Sequence, residues 1–158
     1  KLSEAICTHM ENLHPDFKEF LALLNKHKVD YLLVGGYAVS LHGYPRYTGD
    51  IDIWIAVAEE NADKIVSALK EFGFDLPDLD KQMFLDDDRM TRMGREPVKI
   101  EILNQISGVE FADAQQRALQ KEIGGVMVPV ISLMDLRINK QASGRLKDLA
   151  DLENLPES

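Results

Sequence analysis

The chain has 158 residues, 45% of them apolar and 28% charged, a balance that suits one globular domain with a buried core. Its net charge of −9 argues against a general DNA or RNA binder, whose affinity rests on many Lys/Arg–phosphate contacts, yet leaves room for a local basic pocket holding one triphosphate. No run approaches the roughly 18 apolar residues of a membrane span, Lys1 to His14 lacks the apolar stretch of a secretory signal, and the one cysteine, Cys7, can form no internal disulfide, so the expected location is the cytoplasm with no membrane partner.

Phe17, Phe20, Leu21 and Leu24 recur at helical spacing behind Pro15 and predict an amphipathic helix. The apolar run Tyr31 to Val34 predicts a buried strand ended by Gly35-Gly36, then a short helix from about Tyr37 to Leu41 that Gly43 and Pro45 stop. Asp50 to Val57 alternates as a strand, with Ile51, Ile53, Ile55 and Val57 expected on the core face. A second amphipathic helix is expected from about Glu60 to Phe72, with Ile65, Leu69 and Phe72 inward. Asp75 to Pro97 patterns poorly and reads as loop, with a short strand near Met83 to Leu85. Val98 to Leu103 alternates again, and Val126 to Val130 is a fourth strand. Ser132 followed by Asp135 opens a helix reaching about Gln141, Gly144 breaks it, and a last helix covers Leu146 to Leu155. The elements predict a single α+β domain over residues 1–158, a mixed sheet with helices packed on it.

The chemistry concentrates between Val34 and Ile55, which read VGGYAVSLHGYPRYTGDIDIWI. Asp50 and Asp52 share one strand face, with Cα atoms roughly 6.5–7 Å apart, and Thr48 and Arg46 join that face if the extended backbone reaches back so far. Unpaired, two such carboxylates repel and one pKa rises; a divalent cation removes the conflict, and hard oxygen ligands suit Mg²⁺. Paired divalent ions are the usual apparatus for in-line displacement at phosphorus. Gly35-Gly36 lets backbone N–H groups come close to a phosphate at the start of a helix. It is neither a Walker loop nor a dinucleotide fingerprint. Each feature alone has a plain structural reading: solvent-facing aspartates on an edge strand, or a glycine pair that only turns the chain.

In combination, the Gly-Gly turn, the short helix and the string Arg46, Thr48, Asp50, Asp52 resemble the DNA polymerase beta-like nucleotidyltransferase superfamily, above all its minimal bacterial members such as the abortive-infection type nucleotidyltransferase toxins. That resemblance implies a third carboxylate on a later strand, which Glu101 in VKIEIL would supply, and a late basic and acidic motif matched by Lys140, Arg145, Asp148 and Asp151. It further implies that Gly35 and Gly36 cradle an NTP co-substrate beside Thr48. Asp50, Asp52 and Glu101 would be both catalytic and Mg²⁺-holding, and Arg46 and Lys140 would neutralise phosphate charge. Glu101 could instead pair with Lys99 at the surface, and Arg145, Lys147, Asp148 and Asp151 sit at spacings that ordinary helix ion pairs also use. His42 and Tyr44 border the expected nucleotide entrance, Trp54 falls on the carboxylate face, and Asp86-Asp87-Asp88 reads as a solvated run. The second turn position is Gly36 where many relatives have Ser, and with no acceptor domain expected after the catalytic part, acceptor choice is expected to come from a partner chain, a dimer interface or the 75–97 segment.

The function expected is transfer of a nucleoside monophosphate from an NTP to an unidentified acceptor hydroxyl on RNA, protein or a small molecule, releasing pyrophosphate. A toxin with an antitoxin partner, a homodimer, an antibiotic-modifying enzyme and a non-catalytic nucleotide-binding module of the same fold are the alternatives within or beside that class.

Overall fold

The computed structural model describes residues 13–75 and 77–158. Cys7 and most of the Lys1–His14 stretch lie outside the described residues. In chain order the elements are α1 (Pro15–Lys26), β1 (Tyr31–Val34), α2 (Gly35–Leu41), β2 (Asp50–Ile55), α3 (Glu59–Phe72), a 3-10 turn (Lys81–Phe84), β3 (Met90–Arg95), β4 (Val98–Leu103), α4 (Phe111–Arg117), β5 (Leu119–Ile123), β6 (Val126–Val130), α5 (Leu133–Ser143) and α6 (Leu146–Asn154). Six strands form one mixed sheet in the order β3-β4-β2-β1-β6-β5. β1 runs antiparallel to β2 and parallel to β6, β2 runs parallel to β4, and β3 and β5 close the two edges as antiparallel partners of β4 and β6. The result is the expected mixed α+β architecture, one sheet with helices packed on it. No helix among the described residues is long and apolar enough to cross a membrane.

The helices begin and end where their caps dictate. Pro15 sits in the first turn of α1, where its missing N–H costs nothing, and His14 Nδ1 accepts from Asp16 N at 3.0 Å. Ser132 Oγ caps α5 by accepting from Asp135 N at 3.1 Å, and Gly144 ends that helix in the left-handed conformation at φ 67°. The apolar faces of α1 and α3 meet through Phe20 and Phe72, whose ring centroids lie 5.3 Å apart. Phe20, Leu21, Ile65, Leu69, Ile51, Ile53 and Ile55 are fully buried, each contributing about 1.5–3 kcal/mol of transfer free energy. Buried Asn61 clamps the ends of β1 and β2: its Oδ1 accepts from Asp30 N, and its Nδ2 donates to Asp30 O and Ala56 O. That clamp fixes the register that places the carboxylates.

Several expectations are corrected. β2 stops at Ile55, and Val57 is half exposed rather than in the core, because the chain turns at Ala56 to enter α3. The segment near Met83 is a 3-10 turn, and the strand in that stretch lies later, at β3. α4 and β5 were not expected at all. β3 and β5 are edge strands whose outward faces are polar, so only Thr91 and Met93, and Ile123, carry an inward signal. The pair Gly124-Gly125, both at positive φ between two short strands, is the hairpin signature that marks β5.

Candidate active site

The register of three strands assembles the acidic wall. Parallel pairing of β2 with β4 sets Asp52 beside Glu101 and Asp50 beside Lys99, while antiparallel pairing of β1 with β2 sets Val34 beside Asp52. Gly35 therefore leaves β1 directly against the Asp52 carboxylate. It adopts φ +69°, and a Cβ there would collide with Asp52 Oδ2, so both backbone and space demand glycine. A Cβ on Gly36 would lie 2.7 Å from Thr48 Oγ1, so Thr48 fills the space that a serine at this position would need. The helix begins at the glycines themselves, two residues earlier than the spacing suggests.

Asp52 is the half-buried member of the wall whose Oδ1 is shut off from solvent, and that oxygen has no hydrogen-bond partner among the described residues. Burial pushes its pKa up to about 8, reinforced by the hydrogen bond and charge of Glu101 and by the charge of Asp50, against a smaller pull from Lys147. Glu101 moves the other way. Burial raises its pKa, but the hydrogen bond with Asp52 and the charge and hydrogen bond of Arg92 outweigh it and hold the carboxyl below its ordinary value. Arg92, from edge strand β3, donates Nε to Glu101 Oε1 at 2.9 Å, so Glu101 pairs across the sheet and Lys99 turns to Glu96 instead. Among the described residues no three His, Cys, Asp or Glu side chains already close around one point as a metal cage.

The opposite wall is basic and internally paired. Asp151 accepts two hydrogen bonds from Arg46, Nε to Oδ1 and Nη2 to Oδ2, each at 2.9 Å. Lys140 Nζ stands 3.1 Å from Asp148 Oδ1 and 3.1 Å from Asp151 Oδ2, with all three side chains buried. Arg145 Nε donates to Asp148 Oδ2 at 2.8 Å while its side chain remains exposed. These pairs hold Asp148 near pKa 2: burial acts to raise it, and the hydrogen bonds from Arg145, Ser143 and Lys140 prevail. The reading of this stretch as ordinary helix ion pairs is corrected on one point. Asp148 and Asp151 are buried and tie α5, α6 and the loop before β2 into one charge network.

Between the walls lies a cleft of about 430 Å³ lined by all the expected residues, Gly35, Gly36, Arg46, Thr48, Asp50, Asp52, Glu101 and Lys140. Arg92, Arg145, Lys147 and Asp88 line it too, although none of them stood among the expected site residues. Asp87 and Asp88 are exposed, as a solvated run should be, and Asp88 also borders the cleft, at φ 49°. Three border features fall outside the cleft lining. His42 bonds Ile131 O through Nε2 at 2.7 Å, with burial lowering its pKa, Tyr44 packs against the core, and Trp54 is buried edge-on to Phe111 at 5.1 Å.

The family model described as aminoglycoside-2''-adenylyltransferase matches residues 16–155. Among curated protein sequences there is no match. The fold is similar to that of a protein from Thermotoga maritima assigned as a nucleotidyltransferase (23% identity over 87% of this chain and 86% of that one, TM-score 0.57). It is also similar to the lincomycin-bound lincosamide antibiotic adenylyltransferase LnuA, at 18% identity over 88% of this chain and 93% of that one, with a TM-score of 0.54. A third similar structure is ANT(2")-Ia in complex with adenylyl-2"-tobramycin, at 14% identity over 87% and 83%, TM-score 0.52.

Proposed function

The chain belongs to the aminoglycoside-2''-adenylyltransferase family, and on that premise we propose that its cleft moves AMP from Mg²⁺–ATP to a hydroxyl of a small, amine-bearing acceptor. The observation that carries the reading is Asp52: a carboxylate whose enclosed Oδ1 has no partner among the described residues, beside Asp50 and Glu101. An orphaned buried oxygen is costly unless a ligand completes it, and three hard oxygen donors fit a divalent cation. Asp50, Asp52 and Glu101 would hold Mg²⁺ there, and the ion would supply charge neutralisation for displacement at phosphorus.

The chain's own residues then divide the work. Gly35 and Gly36, bare of Cβ, leave the backbone N–H groups within reach of the triphosphate. Thr48, held by its hydroxyl on Asp50 O at 3.1 Å, fixes the floor beside Gly36. The acceptor oxygen attacks the α-phosphorus, the bond from that phosphorus to the bridging oxygen breaks, and pyrophosphate leaves. Glu101 orients the attacking hydroxyl and takes its proton. Arg46 and the other cleft cations balance the charge on the departing phosphates.

The acceptor class is taken from the family, and the chain's net charge of −9 disfavours RNA. The test is incubation with ATP labelled at the α-phosphate, Mg²⁺, and a panel of aminoglycosides, lincosamides and RNA, read by mass and label. An adenylylated amino sugar is the expected product. Label on RNA alone would overturn the acceptor class, and no labelled product from any acceptor or cell extract would overturn the transferase reading.

A further inference from the structure

We infer that Arg145 is a triphosphate-binding residue of this cleft, aimed by the buried carboxylate of Asp148, and that Lys140 is the internal counter-charge of that arrangement rather than a phosphate ligand. The inference rests on the nucleotide reading above and reassigns a role within it.

Lys140 is poorly placed to meet a substrate. Its side chain is only 6% exposed, and Nζ stands 3.1 Å from a carboxylate oxygen of each of Asp148 and Asp151. Two of its three N–H donors are thereby committed. Swinging it to a phosphate would break both buried ion pairs at once and leave Asp148 and Asp151 with one cation each, which is costly in a buried network.

Arg145 shows the reverse pattern. Its side chain is 75% exposed and lines the same cleft as Asp52 and Glu101. Nε is pinned to Asp148 Oδ2, while the two terminal nitrogens have no hydrogen-bond partner among the described residues. A guanidinium held at Nε presents its outer N–H groups as a fixed fork, the geometry that phosphate oxygens match. Pinning also removes rotamer freedom before the ligand arrives, so less entropy is lost on binding. The pKa of Arg145 is raised first by its bond to Asp148 and then, through space, by Asp52 and Glu101, consistent with a guanidinium facing the acidic wall.

The network is arranged for surplus charge on that side. Asp148 and Asp151 together face Lys140, Arg46 and Arg145, so the buried carboxylates are balanced with one positive charge over. Arg46 is a weaker candidate for the same duty. Asp151 takes its Nε and Nη2, and its Nη1 already leans on Tyr47 O at 3.4 Å.

Calorimetric titration of Mg²⁺–ATP into the full chain and into R145Q, D148N, R145Q/D148N, K140R and K140M, with a melting curve for each, tests this. Arg145→Gln should weaken nucleotide binding at least about tenfold while lowering the melting temperature less than Lys140→Met does, as loss of one charge-assisted fork at an exposed side chain predicts. Asp148→Asn should weaken it less and add nothing once Arg145 is gone, the non-additivity expected of a residue acting through another. Lys140→Met should lower the melting temperature, and Lys140→Arg, which keeps the charge, should restore most of both stability and binding. Native affinity in R145Q would overturn the inference, as would K140M melting like the native chain but binding no nucleotide. If the native chain itself binds no Mg²⁺–NTP, the nucleotide reading fails; if it binds and R145Q binds equally, only the assignment of Arg145 fails.

Discussion

The two walls of the cleft solve the problem of buried charge in opposite ways. On the helical wall every buried carboxylate has its cation within 3.1 Å, so the network is complete before any ligand arrives. On the strand wall Asp52 has one enclosed oxygen without a partner and a raised pKa, and among the described residues only Glu101 is paired with a cation, Arg92. The first arrangement is a preorganised scaffold; the second is incomplete by itself. Buried ion pairs seldom add net stability, but they fix geometry once formed, and a site that must recognise a polyanion gains from cations already held in place.

Removing one member from each wall separates these roles most sharply. Asp52→Asn should cut turnover by about a thousandfold or more, roughly 4 kcal/mol of transition-state stabilisation, while the metal-free protein melts at the same or a higher temperature. Lys140→Met should do the reverse in denaturant unfolding, costing about 3 kcal/mol by removing the buried cation that Asp148 and Asp151 share, which leaves each with a single partner. If both variants lost stability alike, the contrast between the walls would be wrong.

Acid should act on the helical wall. Asp148 has its folded pKa depressed from 3.8 to about 2, so its contribution, about 2 kcal/mol, is fully present above about pH 4 and is lost as pH falls toward 2. Unfolding free energies measured from pH 5 to pH 2 should show this slope in the native chain and a shallower one in Asp148→Asn. Gly35→Ala should cost about 1–2 kcal/mol of stability from its left-handed backbone, and more in activity because its methyl displaces the Asp52 carboxylate. The exposed Lys64–Glu60 pair on α3 supplies the baseline: Lys64→Gln should move stability by less than about 0.5 kcal/mol.

The strand wall was legible in the sequence because its parts are close together along the chain or obey period two. Gly35, Gly36, Asp50 and Asp52 fall within eighteen residues, and Glu101 alternates with isoleucines that burial confines to one face. The helical wall was not legible in the same way. Arg46 and Asp151 are 105 positions apart, and Asp148 with Arg145 repeats the i, i+3 spacing of any exposed helix pair. Burial distinguishes the two cases, and α6 gives little sign of it, since Leu146 and Leu149 are exposed while Asp148 and Asp151 are buried. The edge strands were lost for a related reason: β3 and β5 bury one or two side chains each, too few to impose an apolar period. Fold and acidic wall could therefore be read from local pattern, whereas the cations opposite depend on contacts that only folding makes.

The most direct test of the central claim is a calorimetric titration of ATP into the native chain and into Asp52→Asn, each with and without Mg²⁺. Binding that requires Mg²⁺ in the native chain and loses that requirement, or disappears, in the variant is the result the incomplete acidic wall predicts. ATP binding of equal strength in all four titrations would contradict it, since Asp52 would then hold no metal for the nucleotide.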